Sequence, residues 1–329
     1  MSTLTKPIKE VRNVFEVEWY DQQADILRFY RLFFFPTDNS VEMFDKKMNR
    51  MFLKRIELPS LKLSDLFVGA KVTVFARVLE VKEYGDIATA SKQGGEREST
   101  FAMIKPDQYQ NFGKIVDAVQ SGGFQLCQLK MSKFTNSTVG QFYAEHTAKP
   151  FYPTLSTFMT SDVCIGMELI NQDGIKAWRQ FIGPTNSEVA RREAPNSIRG
   201  VFGTDGTKNA VHGSDSLESA KRELDFFFNP KRMPSSGVTN NCTLCLIKPH
   251  IVKDGLAGQV IDMILAAGFE ISAAEIFYLS RPIIEEFYDV YKGVIPEYLP
   301  IIEHFSNGPT LALEVRQENA VKSFREFVG

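Results

Sequence analysis

The first third of the chain alternates apolar and polar positions with a period of two, the pattern of strands buried on one face. Ile26–Phe35 is rich in aromatic residues, stops at the turn signal Pro36–Asn39, and is followed by the alternating segment Ser40–Asp45. This order predicts a β-hairpin. Lys71–Val81 predicts a further strand, and the polar stretch Ser91–Glu98 predicts a linker.

From Ser99 the pattern changes to strands that alternate with amphipathic helices, which indicates layered α/β or α+β structure. A second linker is predicted from Asn229 to Gly237, and after it the pattern starts again. Four pairs of segments repeat in the same order and at nearly equal spacing: Phe101–Pro106 with Leu244–Pro249, Gly123-Phe124 with Gly268-Phe269, Phe142-Tyr143 with Phe287-Tyr288, and Trp178–Gly183 with Phe324–Gly329. We therefore predict two copies of one domain, the second incomplete at Gly329.

The bulk composition is that of a globular protein, with 43% hydrophobic and 24% charged residues among 329. This length is enough for two or three domains. The formal net charge of -2 gives no general attraction to nucleic acid or to anionic lipid. The sequence shows no secretory signal and no apolar span that could cross a bilayer, so we expect a soluble protein of a reducing compartment.

Four cysteines are too few to suggest a disulfide framework. Cys242 and Cys245 form a CxxC pair that leads into a predicted strand, where an odd spacing points the two thiols to opposite faces. Two small buried side chains are therefore favoured over a metal or redox site.

His212 lies in the segment Asn209–Ser216. Asp215, with Glu218 three residues on, predicts the N-cap and capping box of a helix through Ala220, Arg222 and Leu224. A histidine just before a helix N-terminus is close to amides that favour phosphate. An isolated loop histidine is, however, also an ordinary surface residue.

The surroundings of His212 add candidates for phosphate chemistry. Ser214 and Glu223 could reach one ring nitrogen and leave the other free as a nucleophile. Phosphoryl transfer also needs cationic and hydroxyl donors. The candidates are Lys105 at the end of a strand, Arg179 on a short helix that Gly183-Pro184 ends, Thr185 and Arg199. Each is more often a solvated side chain, and spacing alone does not show that they converge.

The stretch Ser99–Phe228 resembles a whole nucleoside diphosphate kinase domain. Asn209–Asp215 matches the active-site signature N-x-x-H-G-S-D of that family. The resemblance implies that a terminal phosphate passes from a nucleoside triphosphate such as ATP to a nucleoside diphosphate through phospho-His212. It also implies that Mg²⁺ is held by the nucleotide phosphates, without a metal site on the protein.

The resemblance further implies a role for each site residue. The catalytic set would be His212 with Lys105, Tyr143, Ser214 and Glu223. The nucleotide-binding set would comprise the base platform Phe151 with Leu155, the phosphate-binding residues Lys105, Arg179, Thr185 and Arg199, and the ribose-binding Asn209.

Some positions depart from the family pattern. Gln108 replaces a usual glycine, Lys149 a usual arginine, and Gly206 a frequent valine that forms one wall of the base slot. The loop Ser187–Asn196 is longer than usual. We expect weaker base packing or a changed loop, but no lost catalytic group.

The second repeat resembles the same family but lacks most of the site. Lys248, Tyr288 and Arg325 match, whereas Lys292–Glu297 contains no aromatic base platform. No counterpart of His212 occurs before Gly329. We interpret His250 as a surface residue.

The N-terminal stretch resembles a DM10 domain in Tyr30–Glu42, Phe52–Arg55 and Asp65–Gly69, although a generic aromatic hairpin is the simpler alternative. DM10 domains resemble pleckstrin-homology-like β folds and occur in proteins of ciliary axonemes. The resemblance therefore implies a cytoplasmic, cytoskeletal protein of the ciliary axoneme, centrosome or basal body, with tubulin or another microtubule protein as partner.

The predicted fold class is α+β. A DM10 domain (12–95) precedes two ferredoxin-like kinase domains, 98–232 and 240–329, which we expect to pair as family subunits do in homodimers. Two functions remain open and are not exclusive: an active nucleoside diphosphate kinase, and a structural microtubule-associated protein with little or no kinase activity. The filled site favours the first, and the DM10 domain with a degenerate second repeat favours the second.

Overall fold

The computed structural model describes residues 11–21, 24–75, 77–93 and 97–329. Its backbone contacts separate two compact units. The first holds the described residues of Met1–Gly95 together with Leu279–Gly308, and the second holds those of Glu96–Tyr278 together with Pro309–Gly329. Among the described helices, none combines the length and the hydropathy needed to cross a membrane.

The first unit contains an antiparallel sheet of six described strands in the order β4-β3-β2-β1-β6-β5. The strands are β1 (Asn13–Asp21), β2 (Ile26–Phe35), β3 (Ser40–Asp45), β4 (Arg50–Glu57), β5 (Lys71–Val74) and β6 (Arg77–Tyr84), and helix α1 (Ile87–Gln93) follows. One face of β1 and β2 buries large apolar side chains, among them Phe15, Tyr30, Leu32 and Phe34. The hairpin predicted from residues 26–45 is confirmed.

Two predictions in this region are wrong. Lys71–Val81 is not one strand, because β5 and β6 pair antiparallel and Val74 lies opposite Arg77. Phe75 takes a left-handed φ of 55° at the reversal. The run has no Gly, Asn or Pro to mark a turn, so its alternation conceals one. The linker is also shorter than Ser91–Glu98, since α1 extends to Gln93 and the next strand starts at Arg97; residues 94–96 lie outside the described part.

The first repeat lies in the second unit. Its strands are β7 (Arg97–Ile104), β8 (Gln125–Lys133), β9 (Val163–Gln172) and β10 (Val211–Gly213). Its helices are α2 (Phe112–Ser121), α3 (Asn136–Phe142), α4 (Tyr152–Met159), α5 (Gly174–Ile182), α6 (Ser187–Glu193), α7 (Ile198–Phe202) and α8 (Leu217–Phe227), with 3-10 turns at Pro106–Asn111 and Ala144–His146. The order β10-β7-β9-β8 is fourth-first-third-second, the ferredoxin-like topology.

The second repeat follows the irregular segment between α8 and β11, as predicted. It comprises β11 (Cys242–Ile247), α9 (Pro249–Lys253), α10 (Ala257–Ala266), β12 (Glu270–Tyr278), α11 (Arg281–Phe287), a 3-10 turn (Asp289–Tyr291), α12 (Tyr298–Ser306), β13 (Pro309–Arg316) and α13 (Ala320–Val328). Helices α11 and α12 belong to the first unit. Gly123 and Gly268 share left-handed φ values of 80° and 83°. The repeat therefore extends to backbone conformation. The predicted domain boundaries stay a prediction.

One continuous sheet joins the two repeats. Its order among the described strands is β10-β7-β9-β8-β12-β13-β11, and β8 meets β12 where Lys130 lies opposite Glu275. Apolar side chains of both repeats form one core cluster, including Ile115 and Val119 of the first and Ile261 and Ile264 of the second. The predicted pairing of the repeats is therefore present. The α+β class with a β-rich N-terminal region is confirmed.

Helices α2 and α10 pack backbone to backbone at two glycines. A Cβ atom at Gly113 would lie 2.6 Å from the carbonyl oxygen of Gly258 and 2.4 Å from the amide nitrogen of Asp262. A Cβ at Gly258 would lie 2.2 Å from the amide nitrogen of Asp117. Because these neighbours are backbone atoms, neither helix can relieve the contact by turning a side chain.

We expect Gly113→Ala to lower the free energy of unfolding by about 1 kcal/mol, since overpacking costs roughly 2 kcal/mol and helix propensity returns about 1 kcal/mol. Denaturant unfolding measures the change. Lys114→Ala, at an exposed position of the same helix, should leave the midpoint in place. A Gly113→Ala protein as stable as the unsubstituted protein would contradict the close packing of the repeats.

Candidate active site

A cavity of about 910 Å³ opens in the first repeat, within the size range of small-molecule sites. It brings together residues that lie up to 118 positions apart, from Lys105 to Glu223. The predicted site residues that line it are Lys105, Tyr143, Phe151, Leu155, Arg179, Thr185, Arg199, Asn209, His212 and Glu223. Ser214 lies behind this surface, bonded to Glu223. The structure therefore supplies the convergence that spacing could not show.

His212 projects from the short strand β10, which pairs with β7 opposite Met103. Its Nε2 lies 2.9 Å from Oε2 of Glu223, and the Ser214 hydroxyl donates to the same oxygen at 2.6 Å. Burial raises the pKa of Glu223, but the electrostatic attraction of His212 and the hydrogen bonds from His212 and Ser214 outweigh burial, so the net pKa lies below its usual range. An ionised carboxylate accepts, so Nε2 carries the hydrogen and Nδ1 keeps its lone pair.

Sequence reasoning placed Ser214 slightly wrongly. The serine hydroxyl donates to the carboxylate of Glu223 rather than to the imidazole. Ser214 therefore orients Glu223, and Glu223 in turn orients His212. This arrangement makes a chain of three side chains, in which only His212 and Glu223 reach the cavity.

The backbone of His212 is held by a residue that sequence reasoning missed. The indole nitrogen of the fully buried Trp178 donates to the carbonyl oxygen of His212 at 3.3 Å. A Cβ at Gly213 would lie 2.5 Å from the same indole, so the glycine admits this contact. The available signal was a tryptophan directly before the candidate Arg179.

The start of α8 differs from the prediction by one residue. Its N-cap is Ser216, whose hydroxyl accepts from the amide of Ser219, while Ser219 completes the capping box. The prediction of Asp215 with Glu218 was wrong, because adjacent Asp and Ser residues offer equivalent capping side chains. The predicted helix itself is confirmed.

Lys105 lies at the buried end of β7, with 6% of its surface exposed. Its ammonium donates to the side-chain oxygen of Asn209 at 2.6 Å and to the carbonyl of Thr207 at 3.2 Å. Burial is the largest effect and the charge of Arg199 the next, and together they lower the pKa of Lys105 to about 8. The nearby Asp107 has a smaller, opposite effect. An anion in the cavity would restore the charged form.

Arg199, on the first turn of α7, is a half-buried cation on the same cavity. Its guanidinium donates to the carbonyls of Gly183 at 2.9 Å and Val211 at 3.0 Å. Its Nε is buried and has no partner among the described residues. Burial, then the charge of Arg179, lowers the pKa of Arg199 to about 10. Both cations are thus fixed by neutral oxygens.

The remaining polar candidates lie on the same rim. Arg179 is exposed near the end of α5, which ends at Gly183 as predicted. The side-chain amide of Asn209 donates to the carbonyls of Thr185 at 2.8 Å and Gly206 at 3.1 Å. Asn209 therefore connects Lys105 to the loops on both sides.

Aromatic rings form the other end of the cavity. His146, which sequence reasoning did not select, stacks on Tyr143 at 6.1 Å and meets Phe151 edge to face at 5.7 Å. Phe151 is 48% exposed, so a face of its ring is open to solvent. The Tyr143 hydroxyl is buried without a described partner, and burial raises its pKa well above the usual value.

The departures from the family pattern have clear positions. Gly206 lines the cavity, and a Cβ there would meet no described atom within 4 Å, so the base slot is wider at this point. Most of the longer loop Ser187–Asn196 is helix α6. Lys149 lies in the turn between α3 and α4 and does not line the cavity.

The second repeat presents a different surface. Lys248 is exposed, whereas its counterpart Lys105 is buried. His250 is exposed, as expected. Cys242 and Cys245 are free thiols on strand β11, and burial raises the pKa of Cys245 to about 11.

Comparison with known proteins agrees with this geometry. The nucleoside diphosphate kinase family model matches residues 98–233 and 241–329. The rat protein named nucleoside diphosphate kinase homolog 7 is 44% identical over 97% of this chain and 81% of its own length, and the mouse homolog 7 is 43% identical over 100% and 85%. A nucleoside diphosphate kinase of Aquifex aeolicus is 47% identical over 40% of this chain and 94% of its own. The chain therefore belongs to the nucleoside diphosphate kinase family.

Proposed function

We propose that the first repeat is an active nucleoside diphosphate kinase that works through phospho-His212. The observation that carries the proposal is the pairing of Nε2 of His212 with the ionised Glu223, which leaves Nδ1 nucleophilic at the edge of a cavity that Lys105, Arg179 and Arg199 also line. Phosphoryl transfer needs positioning and charge stabilisation, which the cations around the cavity would supply.

In the first half-reaction, Nδ1 of His212 attacks the terminal phosphorus of a nucleoside triphosphate. The bond from phosphorus to the bridging oxygen breaks, and the nucleoside diphosphate leaves. The Glu223 carboxylate accepts the Nε2 hydrogen throughout and becomes a stronger partner as the ring loses electron density. In the second half, a terminal oxygen of another diphosphate attacks the phosphorus, and the N–P bond breaks.

Lys105, Arg179 and Arg199 would face the charged phosphates, with the Nε of Arg199 as an unused donor. Phe151 would stack on the base, and Asn209 would bind the ribose. The Mg²⁺ ion would arrive on the nucleotide and be held by its phosphates, beside the cations of the lining. Such an ion would neutralise phosphate charge.

We expect His212→Ala to abolish transfer of the terminal phosphate of ATP to GDP, because no other group would accept it. Initial rates at varied ATP and GDP should give the parallel double-reciprocal lines of a ping-pong reaction in the unsubstituted protein. His250→Ala, which changes an exposed histidine, should keep the full rate. An unsubstituted protein without transfer, beside an active control kinase, would overturn the proposal.

The pKa of Lys105 predicts a pH dependence of nucleotide affinity. As pH rises through about 8, Lys105 of the nucleotide-free protein loses its proton. The affinity for ATP should therefore fall by up to about tenfold per pH unit above that point. Calorimetric titration with a non-hydrolysable ATP analogue between pH 7 and 9.5 measures this fall. Lys105→Met should bind more weakly but show no break near pH 8. A flat profile in the unsubstituted protein would show that Lys105 stays charged.

We further propose that the N-terminal unit is a DM10 domain that holds the protein on microtubules of cilia or centrosomes, with tubulin or a microtubule-associated protein as partner. The motif resemblance and the antiparallel sheet support this location. β4 ends the sheet and is exposed along almost its whole length, so its edge could add to a neighbouring strand. With a net charge of -2, simple attraction to acidic tubulin is weak, so binding should depend on shape.

Removal of Met1–Gly95 should release the protein from isolated axonemes and leave phosphate transfer intact. Co-sedimentation with axonemes measures the first and the transfer assay the second. His212→Ala in the full chain is the matched control: it should lose phosphate transfer but still bind to axonemes. A truncated protein that transfers phosphate and still binds as tightly as the full chain would place the anchor in the kinase repeats.

A further inference from the structure

Gln108 is buried in the 3-10 turn that follows Lys105, with 5% of its surface exposed. Its amide nitrogen donates to the carboxylate of Asp107 at 3.0 Å and to the carbonyl of Phe202 at 2.9 Å. Its amide oxygen accepts from the side chain of Asn111 at 2.9 Å. A glutamine amide has two N–H groups and one oxygen, so every polar group of this side chain is used.

These bonds join the two segments that carry Lys105 and Arg199. The backbone N–H of Gln108 donates to the carbonyl of Lys105 at 3.0 Å, which closes the turn at the end of β7. The carbonyl of Phe202 is at the last residue of α7, the five-residue helix that begins with Ile198-Arg199. Gln108 is therefore a direct side-chain bridge from the Lys105 turn to the Arg199 helix.

Several contacts hold α7. Phe202 packs against the core cluster, and Arg199 donates to the carbonyl of Val211 on β10. Arg191 of α6 donates to the carbonyl of Gly203 at 2.7 Å, but α6 and α7 are neighbours along the chain. Gln108 comes from a turn about ninety positions earlier, and its bond to Phe202 ties the last residue of α7 to the turn that follows β7.

We propose that Gln108 is a positioning residue that sets the alignment of Lys105 and Arg199 around the transferred phosphate. This inference rests on the proposed function of the cavity. A glycine at this position has no side chain, so the glutamine adds a hydrogen bond to Phe202 that a glycine could not make. Its loss would leave the Asp107 carboxylate and the Phe202 carbonyl without this donor and free α7 to shift. A displacement of about 1 Å in such a site costs up to about 100-fold in rate.

Two substitutions test the bridge. Gln108→Leu removes the amide, and Gln108→Glu keeps its shape but cannot donate and places a second carboxylate beside Asp107. Both should lower kcat about 10- to 100-fold and change KM for the diphosphate much less, because alignment matters most in the transition state. Gln110→Leu and Gln110→Glu, at an exposed position of the same turn, should change neither.

Two readouts separate positioning from simple loss of structure. Amide hydrogen exchange of residues 197–203 should quicken in both Gln108 variants, while β7 and β9 keep their protection. Burial and Arg199 lower the pKa of Lys105, whereas Asp107 and Asp205 raise it. The new carboxylate of Gln108→Glu should raise this pKa further, so the pH at which the affinity for the ATP analogue falls should move above about 8. Gln108→Leu should not move it upward.

The possible results are distinguishable. If kcat, exchange at 197–203 and the pH of the break in Gln108→Glu all match the Gln110 controls, the bridge has no positioning role and the inference is wrong. If protection is lost throughout the sheet, Gln108 is a general structural residue, which also overturns it. If the unsubstituted protein transfers no phosphate, the proposed function fails by itself, and faster exchange with a shifted break would still support the bridge.

Discussion

The candidate site depends on two cations that neutral oxygens hold in place, the buried Lys105 and the half-buried Arg199. Among the described residues, Lys105 is held by Asn209 and the carbonyl of Thr207, and Arg199 by the carbonyls of Gly183 and Val211. Neutral oxygens fix such groups without cancelling their charge. Withdrawal of two like charges from water is costly, and a polyanion beside them would remove that cost. The lowered pKa of Lys105 expresses the same cost.

The fold explains how these oxygens come to one place. Strands β7 and β10 are adjacent, so the end of the first and the start of the second bring Lys105 beside Asn209 and His212. Helix α8 then returns Glu223 to the imidazole. In the second repeat the described strands lie in the order β12-β13-β11, and its lysine, Lys248, is exposed.

Sequence patterns predicted the repeats, the α+β class and the residues around His212, because periodicity and a dense motif are local properties. They failed where a turn carried no turn residue, as at Phe75, and where two capping residues were adjacent, as at Asp215 and Ser216. Trp178 and Gln108 act through contacts with residues 34 and 94 positions away, and no local pattern reveals such contacts. In the sequence Gln108 was only a departure from the family pattern, and its side chain proved to be fully hydrogen-bonded.

The central claim is that Nδ1 of His212 accepts the phosphate. Brief incubation with labelled ATP and Mg²⁺, followed by peptide mapping by mass spectrometry at alkaline pH, tests it most directly. The account predicts one acid-labile, base-stable phosphoryl group on the peptide that contains His212, and its disappearance when GDP is added. A label on another residue, or none where a control kinase is labelled, would contradict it.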